Sequence, residues 1–139
     1  MSTTVALKNH SPMLTADGAD LLALVELALA EARTLGAGQA EAAISMDVGL
    51  NVSARLGEVE TIEYQRDRGM GVTVYFGTRK GSASTGDLGA AALRETVAKA
   101  CTIAKYTAED SCAGLPDAAD LATDVPGLDL SHPWEITPE

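Results

Sequence analysis

The sequence predicts an α+β domain, a two-layer sandwich that runs helix, four-stranded antiparallel meander, helix and extended connector. Apolar residues recur at helical spacing from Leu21 and again from Leu93. Between those stretches they alternate with polar residues at the period of a strand, and glycine-centred turns divide the alternating run.

Residues 1–16 carry scattered Ser, Thr, Asn and Pro without a period, so they read as a flexible leader. The domain proper is expected over residues 17–112. Leu21, Val25, Ala28, Leu29 and Ala32 form the stripe of the first helix, with Glu26, Glu31 and Arg33 off it and Gly36 and Gly38 as the stop. From Ala42 through Ile44, Met46, Val48, Leu50, Val52, Ala54 and Leu56 the period becomes two, which predicts a long strand with one buried face. Gly57 turns the chain. "VETIEYQRD" is the second, more polar strand, and the glycines at 69 and 71 read as a corner before a third, in which Met70, Val72, Val74 and Phe76 face one way and Thr73 and Tyr75 the other. A Gly-Thr-Arg-Lys-Gly turn leads to a fourth strand of small residues, Ser82, Ala83, Ser84 and Thr85. Asp87 is placed to cap the second helix, whose stripe is Leu93, Val97, Ala100, Cys101 and Ala104. Residues 113–139, rich in Pro, Gly and Asp, form the connector. Its last residues, Thr137, Pro138 and Glu139, have the chemistry of a helix start, so the connector is expected to lead into a C-terminal domain absent from this chain.

Composition excludes several function classes. Ten Lys and Arg against twenty Asp and Glu give a net charge of -10, which repels nucleic acid and anionic membrane surfaces. The longest apolar stretch, from Leu21 to Ala30, is broken by Glu26 and falls short of the ~20 residues of a membrane span. Two cysteines without C-x-x-C spacing read as reduced thiols in cytosol, and the first twenty residues show no signal or transit pattern. A cytoplasmic protein is expected.

Chemistry-bearing residues are sparse. His10 and His132 lie in the two irregular ends without a second ligand at metal spacing, so no metal or cofactor is expected in this chain. Cys101 belongs to an apolar stripe, Cys112 has no activating base beside it, and Glu58, Glu60 and Glu63 have no partner to tune them. The glycines of "GMGVTVYFGTRKG" precede a strand, the reverse of a phosphate loop. No catalytic residue is predicted. Two surfaces remain as candidates. Ser82, Ala83, Ser84 and Thr85 lack bulk, so a peptide or partner strand can pair with that edge. Arg66, Arg68, Arg79 and Lys80 can meet an acidic partner if the turns that carry them share one end of the sheet.

The run "VSARLGEVETIEYQRDRGMGVTVYFGTRKGSAST", followed by "ETVAKACTIAKYTAEDSCAGLPD" and "GLDLSHPWEITPE", resembles the N-terminal domain of the PmbA (TldE) branch of the TldD/PmbA peptidase family. The resemblance covers residues 39–139, with the first helix fitting more loosely. It implies bacterial cytoplasmic proteins about three times this length, in which a larger C-terminal domain follows. It also implies a partner, a TldD-like subunit that holds zinc through an H-E-x-x-x-H helix, in a complex that matures a peptide-antibiotic precursor and degrades an antitoxin. This chain has no such motif, and what matches residue by residue is the sheet signature, Val52, Arg55, Gly57, Glu58, Gly71, Val74, Tyr75, Arg79, Lys80, Gly81, Ser82, Ser84 and Thr85. The implied role is assembly and lining of a peptide cleft. The alternative is a freestanding acidic module for a basic protein, resting on the net charge and on Asp117, Asp120, Asp124 and Asp129. Weak self-association is expected through bare connector residues, Trp134 above all.

Overall fold

The structure is a computed structural model and describes residues 18–122, 124 and 126–129. The elements are α1 (Gly18–Thr34), β1 (Gln39–Arg55), β2 (Glu58–Phe76), β3 (Arg79–Thr85) and α2 (Ala90–Tyr106). The α+β class holds, but the sheet has three strands in the order β1-β2-β3, not four. The expected second and third strands are one 19-residue strand. Gly69 and Gly71 have no positive φ and sit in the ladder opposite Ser45 and Ala43. β1 is long enough to pair with β2 from Tyr75, opposite Gln39, to Glu58, opposite Arg55, so nothing requires the chain to reverse at the glycines.

The reversals fall at two tight two-residue turns. Leu56 and Gly57 both have positive φ, 54° and 86°, the signature of the type I′ hairpin that matches strand twist. Glycine takes that conformation freely, whereas Leu56 does so at a cost of about 1–2 kcal/mol. The second turn is Gly77-Thr78, with Gly77 at φ 63°.

Both helices cover one face of the sheet. Met70, Val72 and Val74 from β2 meet Leu93, Val97, Ala100, Cys101 and Ala104 from α2 and Ala28 and Ala32 from α1, all at most 3% exposed. The stripe read from α2 is thus the buried one, with Thr96 added; its hydroxyl donates to Ala92 O at 2.8 Å. On α1 the stripe is rotated from the expected one. Leu24 and Leu27 pack on the core beside Ala28 and Ala32, while Leu21, Val25 and Leu29 are half-buried on the flank. Asp87 does not cap α2. Its Oδ1 accepts the Gly89 N–H at 2.8 Å in a local turn, and Gly89 is the N-cap without a side-chain bond.

Two departures from simple alternation matter for the site. Gly81, read as the end of a turn, lies inside β3 where α2 crosses it, and a Cβ there would stand 2.9 Å from Ala104 Cα and still nearer to Ala100 O and Ala104 N. Tyr75, on the polar face, is only 6% exposed. The segment after α2 passes over it: Asp110 N–H donates to Thr78 O at 3.0 Å and Leu115 N–H to Gln39 Oε1 at 3.0 Å. The Tyr75 hydroxyl donates to Glu41 Oε1 at 3.4 Å.

Burial, and secondarily the Glu41 charge, raises the Tyr75 phenol above its ordinary 10.0, and burial raises the Cys101 thiol above 9.0. Both groups are neutral when folded, so their contribution is complete below the unfolded values and is lost as pH rises through the folded ones. Unfolding stability is therefore expected to fall above about pH 9–10, and less steeply in Tyr75→Phe and in Cys101→Ala. Denaturant titrations from pH 8 to 11 check this, and slopes unchanged in both variants would show that neither group is responsible.

Beyond the helices the β1–β2 hairpin continues as an arm in which every residue from 51 to 68 is exposed. Val48, placed in the core by its period, is only half-buried at the arm's foot. Of the connector residues expected to seek apolar partners, Leu115 is half-buried and Leu128 is 66% exposed, while Val125, Leu130, Trp134 and Ile136 lie outside the described residues. So do both histidines.

Candidate strand-edge site

β3 is the last strand of the sheet, so among the described residues its outer edge has no neighbouring strand. The two-residue turn sets which amides face that edge. It makes Phe76 and Arg79 the hydrogen-bonded pair, so Arg79, Gly81 and Ala83 bond to β2 while Lys80, Ser82 and Ser84 turn their N–H and C=O groups outward. Ser82 and Ser84 are exposed, and Ala83 and Thr85 are half-buried. The Ser82 hydroxyl lies 3.0 Å from that of Thr73 on the adjacent strand.

Alongside the edge runs an open groove of about 560 Å³ lined by Ser82 and Ala83 from β3 and by Glu95, Ala98, Lys99, Thr102 and Ile103 from α2. Its floor is mostly methyl groups, with Ile103 47% exposed. The Lys99 ammonium reaches Glu95 Oε1 at 2.7 Å, one turn along the helix, and by hydrogen bond and charge holds that carboxyl below its ordinary value. The groove is a product of Gly81: α2 packs against the β3 backbone there, which places its exposed flank level with the strand edge. The sequence singles out Ser82, Ala83, Ser84 and Thr85 as a candidate edge but not the α2 residues that line the groove beside it. The available signal was Ile103, an apolar residue off the buried stripe of α2.

The four basic residues are not brought together. Arg66 and Arg68 lie on the arm opposite Val48 and Met46, whereas Arg79 and Lys80 flank the Gly77-Thr78 turn at the other end of β2, roughly 30 Å away at the rise of a strand. The Arg79 guanidinium donates to Lys105 O at 3.3 Å and Glu109 Oε1 at 3.1 Å, tying the turn to the end of α2. Lys80 borders a second cavity of about 300 Å³ with Tyr75, Thr107, Ala108, Asp110, Cys112, Ala113 and Gly114. Among the described residues no group of three or more His, Cys, Asp or Glu side chains is arranged to hold a metal ion, and no helix is long and apolar enough to cross a membrane.

The described residues thus form a three-stranded sheet with both helices on one face, an unpaired strand edge and an apolar groove beside it. The chain belongs to the TldD/PmbA family: the family model described as PmbA/TldA metallopeptidase domain 1 matches residues 40–104. It is 46% identical over 119 residues to the metalloprotease PmbA of Escherichia coli O157:H7, covering 84% of this chain and 26% of that protein. It is 42% identical over 129 residues to the metalloprotease PmbA homolog of Haemophilus influenzae, covering 93% and 28%. The chain thus spans about a quarter of the length of these curated relatives. The same fold occurs in a Bacteroides thetaiotaomicron protein assigned as a modulator of DNA gyrase, with a TM-score of 0.69 at 19% identity over 76% of this chain and 24% of that one. It occurs also in TldE from Thermococcus kodakarensis, at 0.63 and 16% over 78% and 25%.

Proposed function

We propose that this domain is an assembly and peptide-cleft module of a cytoplasmic TldD–PmbA metallopeptidase complex, in which it presents a strand edge to peptide and leaves catalysis to a zinc-bearing TldD-like subunit. Membership of the family supports the setting, and maturation of a peptide-antibiotic precursor and antitoxin proteolysis are the activities this reading attaches to the whole complex. The observation that carries it is the pairing of outward amides at Lys80, Ser82 and Ser84 with the groove beside them. An extended peptide added there gains main-chain hydrogen bonds from the edge and places alternate side chains against Ala98 and Ile103. The bare side chains of Ser82, Ala83 and Ser84 let its backbone approach. Asp117, Asp120, Asp124 and Asp129, on which the acidic-module alternative rests, are all exposed.

The test is binding of a fluorescent Thr-Val repeat peptide to the chain and to Ser84→Pro, which removes one outward N–H but no bond of the β2–β3 ladder. Binding weakened about tenfold in Ser84→Pro, with unchanged circular dichroism, is the expected outcome; one lost charge-neutral hydrogen bond plus local distortion is worth that much. Equal binding by both proteins would remove the edge from the site.

A further inference from the structure

β1 is the other edge of the sheet, so among the described residues no strand lies beyond it. Its hydrogen-bond phase follows from the turn that makes Phe76 and Arg79 a bonded pair. Phe76, Val74 and Val72 bond to β3, so Tyr75, Thr73 and Gly71 bond to Gln39, Glu41 and Ala43, and the ladder keeps that phase to Ser53. The even-numbered residues of β1 from Ala40 to Val52 therefore turn their N–H and C=O groups outward, and no Lys or Pro blunts this edge. Above the edge the strand has two unlike halves. α1 packs on β1, and α2 on β2 and β3. The ion pair from Glu31 to Arg94 marks the flank of α1 that faces α2. Val25 and Leu29 lie about 120° and 160° round the helix from Glu31, so this apolar flank overhangs the outer edge of β1. Ala40, Ala42 and Ile44 pack on the core beneath α1. Beyond the helices the same face of the strand is bare: Leu50 is half-buried and Val52 is 53% exposed. One strand thus has, at one end, an apolar rim with no strand beneath it and, at the other, apolar side chains with nothing above them.

We infer that β1 pairs antiparallel with β1 of a second copy of the chain about a two-fold axis at Val48, making one six-stranded sheet in the order β3-β2-β1-β1-β2-β3. The inference is independent of the peptide-edge reading, since both β3 edges stay open at the ends of that sheet. The occupant is a second copy because a two-fold axis exchanges the two halves of the strand. It sets Val52 beside the partner's Ile44 and Ala54 beside the partner's Ala42, under the rim formed by the partner's Val25 and Leu29. Pairing Val48 with its own counterpart keeps even residues opposite even ones, so outward amides meet outward amides and the apolar face runs unbroken across the junction. On the polar face it brings Glu41 opposite the partner's Arg55 at both ends of the junction, and Asp47 opposite the partner's Gly49. Within one chain Glu41 Oε1 accepts the Tyr75 hydroxyl at 3.4 Å and Arg55 Nη1 stands 3.6 Å from Glu60 Oε1. Those contacts occupy one oxygen and one nitrogen of groups able to take more. A junction centred one residue earlier would set Asp47 against Asp47, which charge disfavours.

Sedimentation velocity of the chain across a concentration series, beside Val52→Asp, Glu41→Arg, Arg55→Glu and the double reversal, tests the inference. The expected result is a monomer–dimer equilibrium for the chain, weakened at least about tenfold by Val52→Asp, which carries a carboxylate under the partner's apolar rim. Each single charge reversal should weaken it and the two together restore it. Val52 is exposed in the single chain, so Val52→Asp should melt close to the chain at dilutions where both are monomers. Position is read by oxidation in a Cys112→Ser background. Val48→Cys, which faces its own counterpart across the axis, should form a disulfide-linked dimer, and Asn51→Cys, which stands opposite the partner's Ser45, should not. A monomer at all concentrations, a dimer indifferent to Val52→Asp, a double reversal no tighter than the single ones, or equal disulfide formation by Val48→Cys and Asn51→Cys would each overturn it.

Discussion

Gly81→Ala is expected to destabilise the domain by more than ~3 kcal/mol, beyond the usual range for overpacking, because the atoms in the way are backbone. The added methyl would overlap Ala100 O and Ala104 N and come within 2.9 Å of Ala104 Cα, and neither a strand in a ladder nor a helix can yield there without breaking bonds. Gly71→Ala is the control. Gly71 is also a strand glycine of β2, but a Cβ there meets nothing within 4 Å, so its replacement should change stability by less than ~1 kcal/mol. Chemical denaturation of the three proteins decides it. A mild effect at Gly81 would mean that α2 does not ride directly on β3, and the groove would lose its basis.

Val74→Asp should unfold the domain outright. Val74 is 0% exposed at the centre of the cluster that joins both helices to β2, and among the core residues around it there is no cation to pair with a carboxylate. An unpaired charge there costs several kcal/mol against a total stability of ~5–15 kcal/mol. Thr73→Asp, one residue away on the half-buried polar face, removes only the contact to Ser82 and should leave a folded protein. Val48→Asp, which strict alternation would rank beside Val74→Asp, should be much milder because Val48 sits at the foot of the arm. Thermal unfolding followed by circular dichroism ranks the three, and a folded Val74→Asp protein would place the core on the wrong face.

Where burial and period agree, the residues announce their structure. The stripe of α2 and the alternation of β1 could be read directly, because Leu93, Val97, Ala100 and Ala104 meet the sheet along one helix face and β1 keeps a strict period of two. The break expected at Gly69 illustrates the limit. A glycine permits a corner without requiring one, and the decision to continue straight is made by the partner strand, seventeen residues long, that pairs with the whole stretch. Gly81 is the converse case. Its lack of a side chain serves a helix that arrives nineteen residues later, at Ala100, so nothing local distinguishes it from a turn glycine. The candidate edge was visible as a run of small residues, but its groove depends on the same distant packing. The arm was hidden because its alternating pattern is that of a buried strand, and only the extent of the helix layer shows that its apolar face lies bare.

Amide hydrogen exchange of the chain, with and without the Thr-Val repeat peptide, examines the outer edge of β3 residue by residue. Outward amides of Lys80, Ser82 and Ser84 should exchange fast in the free chain and slow severalfold with peptide, while Gly81 and Ala83, already bonded to β2, change little. Protection that appears elsewhere, or free-chain protection already equal at all five positions, would contradict a strand edge open to peptide.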